Sequence, residues 1–177
     1  MEMQGHKASL AREDGQLLAS LLEIEDRNYR RLLRLAWRQN SYMRRQDVDR
    51  LELNAGEWSI YLPRANEARI ARERFVSQLG ENLGRPIPPN RMADLLDFAS
   101  PGTRSRVVDA IKALQNTTLR LARQNELNRN LAEYCIDLAT EESKIFRRAV
   151  TEDPNGCYDD GARPNGRGPG GVLQRQA

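Results

Sequence analysis

Apolar residues recur every three or four positions between residues 103 and 150, in a stretch that contains neither proline nor glycine. This spacing puts one apolar stripe along one face of an α-helix, which at about 1.5 Å per residue is roughly 70 Å long. A single helix cannot bury its own stripe, so the upstream segments are predicted to cover it in part. The stripe consists of Val107, Ile111, Leu114, Thr118, Leu121 and Ala122 and, after a polar gap, of Leu131, Ala132, Cys135, Leu138, Ala139, Ile145, Phe146 and Ala149.

Two further helical patterns precede this stretch. The first begins at Asp14, whose carboxylate is a predicted N-cap. The second begins at Asp47, another predicted cap, and continues across Pro63, where a kink near residues 59–62 is expected because an interior proline removes a backbone donor. The short join between the two patterns predicts an antiparallel helical hairpin.

Glycine and proline residues separate the predicted hairpin from the long helix. Gly80 is predicted to end the second helix, and a proline-rich connector follows. Asn90 is a predicted cap for a short helix over residues 91–99, and Ser100-Pro101 is the predicted start of the long helix. The predicted fold class is therefore all-α, with an antiparallel helical hairpin, a short helix and one long C-terminal helix in an elongated bundle or coiled coil.

Composition divides the chain into three parts. Residues 1–13 form a predicted flexible N-terminus and residues 14–150 a predicted helical domain. Residues 151–177 hold half of the twelve glycines and three of the eight prolines, which predicts a disordered tail. No secretory signal and no run of the ~18 apolar residues that a membrane span needs is present. These features predict a soluble, cytoplasmic protein without membrane insertion.

The overall charge argues against a nucleic-acid partner. Lysine plus arginine number 28 and aspartate plus glutamate 25, so the net charge is only +3, too small for a nucleic-acid footprint by itself. The arginine-rich residues 27–50 predict either a surface for an acidic partner or a solvated helix face, of which the second is more common. These arginines are Arg30, Arg31, Arg34, Arg38, Arg44 and Arg45.

Sets of residues with catalytic or metal-binding spacing are lacking in the sequence. The one histidine, His6, and the two cysteines, Cys135 and Cys157, are not spaced as metal ligands. Cys135 lies on the apolar stripe and is predicted to be a small buried side chain. Glu141 and Glu142 are adjacent and so point about 100° apart on a helix, which is unsuitable for a carboxylate dyad. The sequence predicts neither an enzyme nor a cofactor.

Polar residues interrupt the apolar faces at two places. Glu25 either pairs with an arginine of another helix or lies at the edge of the face, in water, and the second is preferred. Asn125 and Asn128 are three residues apart and are predicted to continue the stripe, where a buried amide needs partners. They either face solvent at the end of the bundle, or set the helix register or bond to a partner segment.

Four short motifs follow one another along this helical chain: the run from Leu21-Leu22 to Tyr29-Leu32-Leu33, the restart from Asp47 to Leu51, the Asn125/Asn128 pair before Leu131, and Tyr158-Asp159-Asp160-Gly161. Their order and spacing resemble the FlgN family of flagellar type III export chaperones, over about residues 14–161. Pro63, the proline-rich connector and the long tail after Gly161 depart from the family pattern.

The resemblance implies a cytosolic chaperone of flagellum assembly. It implies clients among the hook–filament junction proteins (FlgK- and FlgL-like), whose disordered C-terminal segments the chaperone binds and delivers to the export gate protein FlhA. It places client binding in the C-terminal helical region, at about residues 131–150, and gate docking at Tyr158. The distal stripe is then available for an amphipathic client helix; its residues are Leu131, Cys135, Leu138, Ile145 and Phe146.

Two other functions are compatible with the patterns. A homodimeric coiled-coil scaffold or adaptor without an export role would bury the distal stripe against a second copy. A nucleic-acid binder would use the arginines of residues 27–50, and the low net charge and missing recognition motif place it below the other two.

Overall fold

The computed structural model describes residues 10–151, which form three α-helices and one 3-10 helix and contain no strand. Helix α1 spans Arg12–Arg44, α2 spans Val48–Asn82, the 3-10 helix spans Pro89–Phe98 and α3 spans Pro101–Thr151. The predicted all-α fold class, with its hairpin, short helix and long last helix, is confirmed. The chain divides after Leu131 into two compact units, which we call the bundle (up to Leu131) and the distal segment (from Ala132).

Helices α1 and α2 run antiparallel in the bundle, as predicted. The Asn54 amide, early in α2, bonds to the Leu35 carbonyl late in α1, whereas Arg72, late in α2, bonds to Glu25 earlier in α1. The first part of α3 runs parallel to α1, because contacts advance together along both helices. Thr117 donates to the Asp26 carboxylate, and Asn128 donates to the Ala36 carbonyl.

The two predicted helix caps have different outcomes. Asp47 caps α2, because its carboxylate accepts a hydrogen bond from the Arg50 N–H at 3.2 Å. The prediction for Asp14 is wrong: α1 begins at Arg12, and Ala11 is the capping residue without a side-chain bond. Asp14 instead lies in the first turn, where a carboxylate still interacts favourably with the helix dipole.

Helix α2 continues past Pro63 and past its predicted end at Gly80. Pro63 is exposed and interior to the helix. The prediction that Gly80 ends α2 is wrong, because the left-handed residue after the helix is Gly84, with φ of 67°. Glycine is required at position 80 for a different reason. A Cβ there would lie 2.7 Å from the Ile87 backbone nitrogen. The connector therefore folds back directly onto the last turn of α2.

The short third helix differs from its prediction in type and start. It is a 3-10 helix that begins at Pro89, with Pro88 as the capping residue, so the prediction of Asn90 as the cap is wrong. Proline at the first position is compatible with a helix start because no N–H is needed there. Leu95 and Leu96 are buried and hold this helix on the core.

Two apolar clusters form the core of the bundle. The larger lies at the end that holds the 3-10 helix and combines residues of all three α-helices and the connector. The smaller contains Leu32, Leu33, Leu35 and Ala36 of α1, together with Ala65 and Leu121. The larger contains Leu10, Leu18, Ala19, Leu22, Val76, Leu79, Ile87, Leu95, Leu96, Val107, Ala110, Ile111 and Leu114.

Buried charged and polar residues lie along α1 between these clusters. The guanidinium of Arg72 bonds to the Glu25 carboxylate through two nitrogens, and the two residues are only 7% and 2% exposed. The interpretation of Glu25 as a residue at the edge of the apolar face is wrong. A fully buried carboxylate needs an ionic partner, and α2 supplies it.

Tyr29 packs against both clusters beside this ion pair. Burial raises the pKa of its phenol, and the nearby Glu25 carboxylate raises it further, because both disfavour the phenolate. Tyr29 therefore remains neutral and contributes an uncharged ring between the two clusters.

The buried ion pair gives a stability prediction. Arg72→Ala is expected to lower the free energy of unfolding by about 3–5 kcal/mol, because it leaves the Glu25 carboxylate buried and unpaired. Replacing both residues by leucine is expected to restore most of that loss. Urea denaturation measures both. Arg69→Ala, which removes a half-buried pair with Glu73 within α2, is the control and is expected to change less. Equal stability of the two alanine variants would contradict the assignment.

Candidate functional site

The distal segment of α3 presents large apolar side chains to solvent. Leu138 is 41% exposed, Ile145 66% and Phe146 70%. Successive residues of a helix are about 100° apart, so these three positions, together with Cys135, lie along one side of the helix. We call Cys135, Leu138, Ile145 and Phe146 the distal face.

Two residues of the predicted client-binding stripe, Cys135 and Leu131, are less exposed than the other three. Cys135 is a free thiol that is half-buried. The prediction that its side chain is buried is therefore wrong. Leu131 is also half-buried and is the last residue of the bundle. Among the residues of the predicted client-binding stripe, the exposed ones therefore begin after Leu131.

Two exposed apolar residues beside the distal face, Tyr134 and Val150, were not predicted. Tyr134 is exposed and lies four residues before Leu138, on the adjoining edge of the stripe. The same spacing of three and four that identified the stripe would have found it. Ile136 is as exposed as Ile145, at 65%, but lies about 160° from Leu138 around the helix. It provides a comparison position off the distal face.

Asn128 is buried in the bundle and has a partner for every polar atom of its amide. The amide nitrogen donates to the Ala36 carbonyl at 2.8 Å and to the Gln39 side chain at 3.1 Å. The amide oxygen accepts from Asn40 at 2.9 Å and from Gln124 at 3.0 Å. The side chain thereby ties α3 to one position along α1.

Asn125 does not share this environment. It is exposed, whereas Asn128 is 5% exposed, so the prediction that both asparagines continue the apolar stripe is wrong for Asn125. Three residues turn a helix by about 300°, which leaves a 60° offset between the two side chains. A third asparagine was missed: Asn54 of α2 is buried and donates to the Leu35 carbonyl at 3.2 Å. The position of Asn54 on the apolar face of α2 could have identified it as a buried residue.

The arginine-rich segment of α1 is partly engaged within the chain. Arg31 bonds to Glu57 at 2.8 Å and its guanidinium lies 4.6 Å from the centre of the Tyr61 ring. Arg30 pairs with Asp26 at 2.7 Å. These contacts favour the interpretation of a solvated helix face that braces the hairpin.

Other kinds of site find little support in the described part of the chain. Among residues 10–151, histidine, cysteine and carboxylate side chains form no group of three that could hold a metal ion. None of the helices there combines the length and hydropathy of a membrane-crossing segment. The predicted docking residue Tyr158 lies outside the described residues.

An all-α bundle that continues into a helix with an exposed apolar face is the architecture of a protein that binds another polypeptide. The family model described as FlgN protein matches residues 15–166, and the chain belongs to the FlgN family. The family's members are flagellar export chaperones rather than enzymes, so a general role in flagellar export and binding of flagellar client proteins follows. No curated protein and no solved structure matches the chain significantly.

Asn128 and Asn125 give a matched pair of substitutions. Asn128→Ala is expected to lower the free energy of unfolding by about 1–3 kcal/mol, because it removes a buried, fully bonded amide. Asn125→Ala, at an exposed position three residues away, is expected to stay within about 0.5 kcal/mol of wild type. Thermal and urea denaturation of both variants measures the difference. An equal loss of unfolding free energy in both variants would contradict the role of Asn128 in fixing the register of α3 against α1.

Proposed function

We propose that this chain binds the C-terminal segments of hook–filament junction proteins in the cytosol, prevents their premature assembly and delivers them to the export gate protein FlhA. The observation that supports client binding most directly is the exposure of the distal face. Its side chains lie at the spacing that an amphipathic partner helix recognises, and contiguous exposed apolar residues mark interaction sites.

The expected affinity is moderate. Burying about 600 Å² of apolar surface would contribute of order 15 kcal/mol at ~25 cal/mol per Å². Association and the ordering of a disordered client oppose most of this contribution. A complex of this kind can form in the cytosol and still release its client at the gate, as delivery requires.

Gate docking is assigned to a different part of the chain. Resemblance to the family supports Tyr158, in the segment Tyr158-Asp159-Asp160-Gly161, as the docking residue. The family match extends to residue 166 and so includes this segment. Separate positions for client and gate would let both bind one chaperone at the same time.

Client binding is tested by substitutions at two isoleucines of equal exposure. Ile145→Asp is expected to weaken client binding at least about tenfold, because a carboxylate would have to be buried under the client without a partner. Leu138→Asp combined with Ile145→Asp is expected to abolish binding. Titration calorimetry with junction-protein C-terminal segments measures the affinity, and circular dichroism checks that helicity is kept.

Ile136→Asp is the control for these variants. It introduces the same charge at the same exposure, about 180° from Ile145 around the helix, and is expected to leave client affinity unchanged. Equal effects of the two single substitutions would contradict the assignment of the distal face. Failure of any junction-protein segment to bind the wild-type chain would contradict the proposed clients.

Gate docking is tested by Tyr158→Ala. This variant is expected to bind client as wild type does and to lose about 2 kcal/mol or more of docking energy to FlhA, as truncation of an aromatic anchor does. Surface plasmon resonance with the soluble part of FlhA measures the loss. Leu173→Ala, later in the same tail, is the control and is expected to keep the wild-type affinity for FlhA. Equal affinity of wild type and Tyr158→Ala for FlhA would contradict the role of Tyr158 in docking.

A further inference from the structure

One charged residue lies within the distal face. Glu142 is exposed, and its helical neighbours, three and four residues before and after it, are Leu138, Ala139, Ile145 and Phe146. Residues at these separations adjoin each other on a helix surface. The Glu142 carboxylate is thus surrounded by apolar side chains along the face that a client would cover.

Two other acidic residues of the distal segment, Glu141 and Asp137, lie elsewhere around the helix. Glu141 precedes Glu142 and so points about 100° away, and it pairs with Lys144 at 2.6 Å. Asp137, five residues before Glu142, is offset by about 140°. Among these carboxylates, only that of Glu142 would be covered when the distal face is covered.

Covering Glu142 has a defined energetic consequence. An ionised carboxylate that loses its water without gaining a partner costs several kcal/mol. A purely apolar client helix would therefore bind this face poorly. A helix with an arginine or lysine opposite Glu142 would convert that cost into a charge-assisted hydrogen bond.

The position of Glu142 also disfavours a second copy of this chain that packs parallel and in register on the distal face. Glu142 lies between Leu138 and Ile145 of that face. Such a pair would place the two Glu142 carboxylates against each other. Like charges at such contacts act against association.

We propose that Glu142 is the specificity-determining residue of the distal face and that the client helix carries an arginine or lysine within its apolar side. This inference rests on the proposed client-binding function and specifies the chemistry of the partner. Apolar contacts supply attraction in this arrangement, and the Glu142 carboxylate selects helices with a basic residue in the correct register.

The test reverses the charge of Glu142. The probe is a synthetic peptide that covers the C-terminal segment of a junction protein, with affinity measured by titration calorimetry. Glu142→Lys is expected to weaken binding about 30-fold or more, since it leaves a cation buried against a cation, and Glu142→Gln about tenfold. Asp137→Lys makes the same charge change off the face and is the control, with an expected change below about threefold.

A charge swap completes the test. Changing the client's basic residue to glutamate is expected to weaken binding to wild type and to restore binding to Glu142→Lys. If Leu138→Asp abolishes binding but Glu142→Lys leaves it unchanged, the role of Glu142 is overturned while the proposed function stands. If no junction peptide binds wild type, the proposed function fails and this inference fails with it.

Sedimentation of the wild-type chain alone distinguishes a second copy as the occupant. A monomer is expected across the concentration range of the calorimetry. A dimer that Leu138→Asp dissociates would place a second copy on the distal face and overturn the proposal.

Discussion

The bundle depends on buried polar contacts that fix where each helix lies along α1. Apolar surfaces attract each other without specifying a register, because leucine stripes can slide past one another at a small cost. The Glu25–Arg72 pair and the Asn54 bond fix α2 against α1. The Asp26–Thr117 bond fixes α3, since a shifted helix would leave one oxygen of the buried Asp26 carboxylate without its donor. Asn128 adds a second fixed point for α3, on the Ala36 carbonyl.

A fixed register determines which part of α3 the bundle uses. Helix α3 has 51 residues, whereas α1 has 33 and α2 has 35. The residues of α3 that complete the core run from Val107 to Leu121, and Asn128 contributes the last fully buried side chain of this helix. The distal face is a continuation of the same stripe by a helix longer than its two partners. A binding surface of this kind requires only a longer helix, without a separate fold.

The sequence was sufficient for the features that depend on local chemistry. Periodicity predicted the three α-helices, and the Asp47 cap and the start of α3 followed from residues next to each other in the chain. Gly80 and Gly84 could not be told apart, because the difference is the close approach of the Ile87 backbone, a contact across a turn.

Residues whose role depends on a distant partner were the least predictable. Glu25 looked like an edge residue because its partner Arg72 lies 47 positions away. Asn125 and Asn128 are alike in sequence, and only the position of α1 makes one of them buried. The distal face was predictable, since exposure there follows from how much of the stripe the shorter helices can cover. Glu142 was visible in the sequence as a charge, but the role proposed for it depends on the exposure of the apolar side chains around it.

Hydrogen–deuterium exchange along α3, with and without client peptide, tests the central claim that another polypeptide completes the distal part of this helix. The backbone amides of residues 132–150 are expected to exchange quickly in the free chain and to become protected when client is added, while residues 107–128 stay slow in both states. Slow exchange of residues 132–150 in the free chain, unchanged by client, would show that this surface is already covered and would contradict the claim.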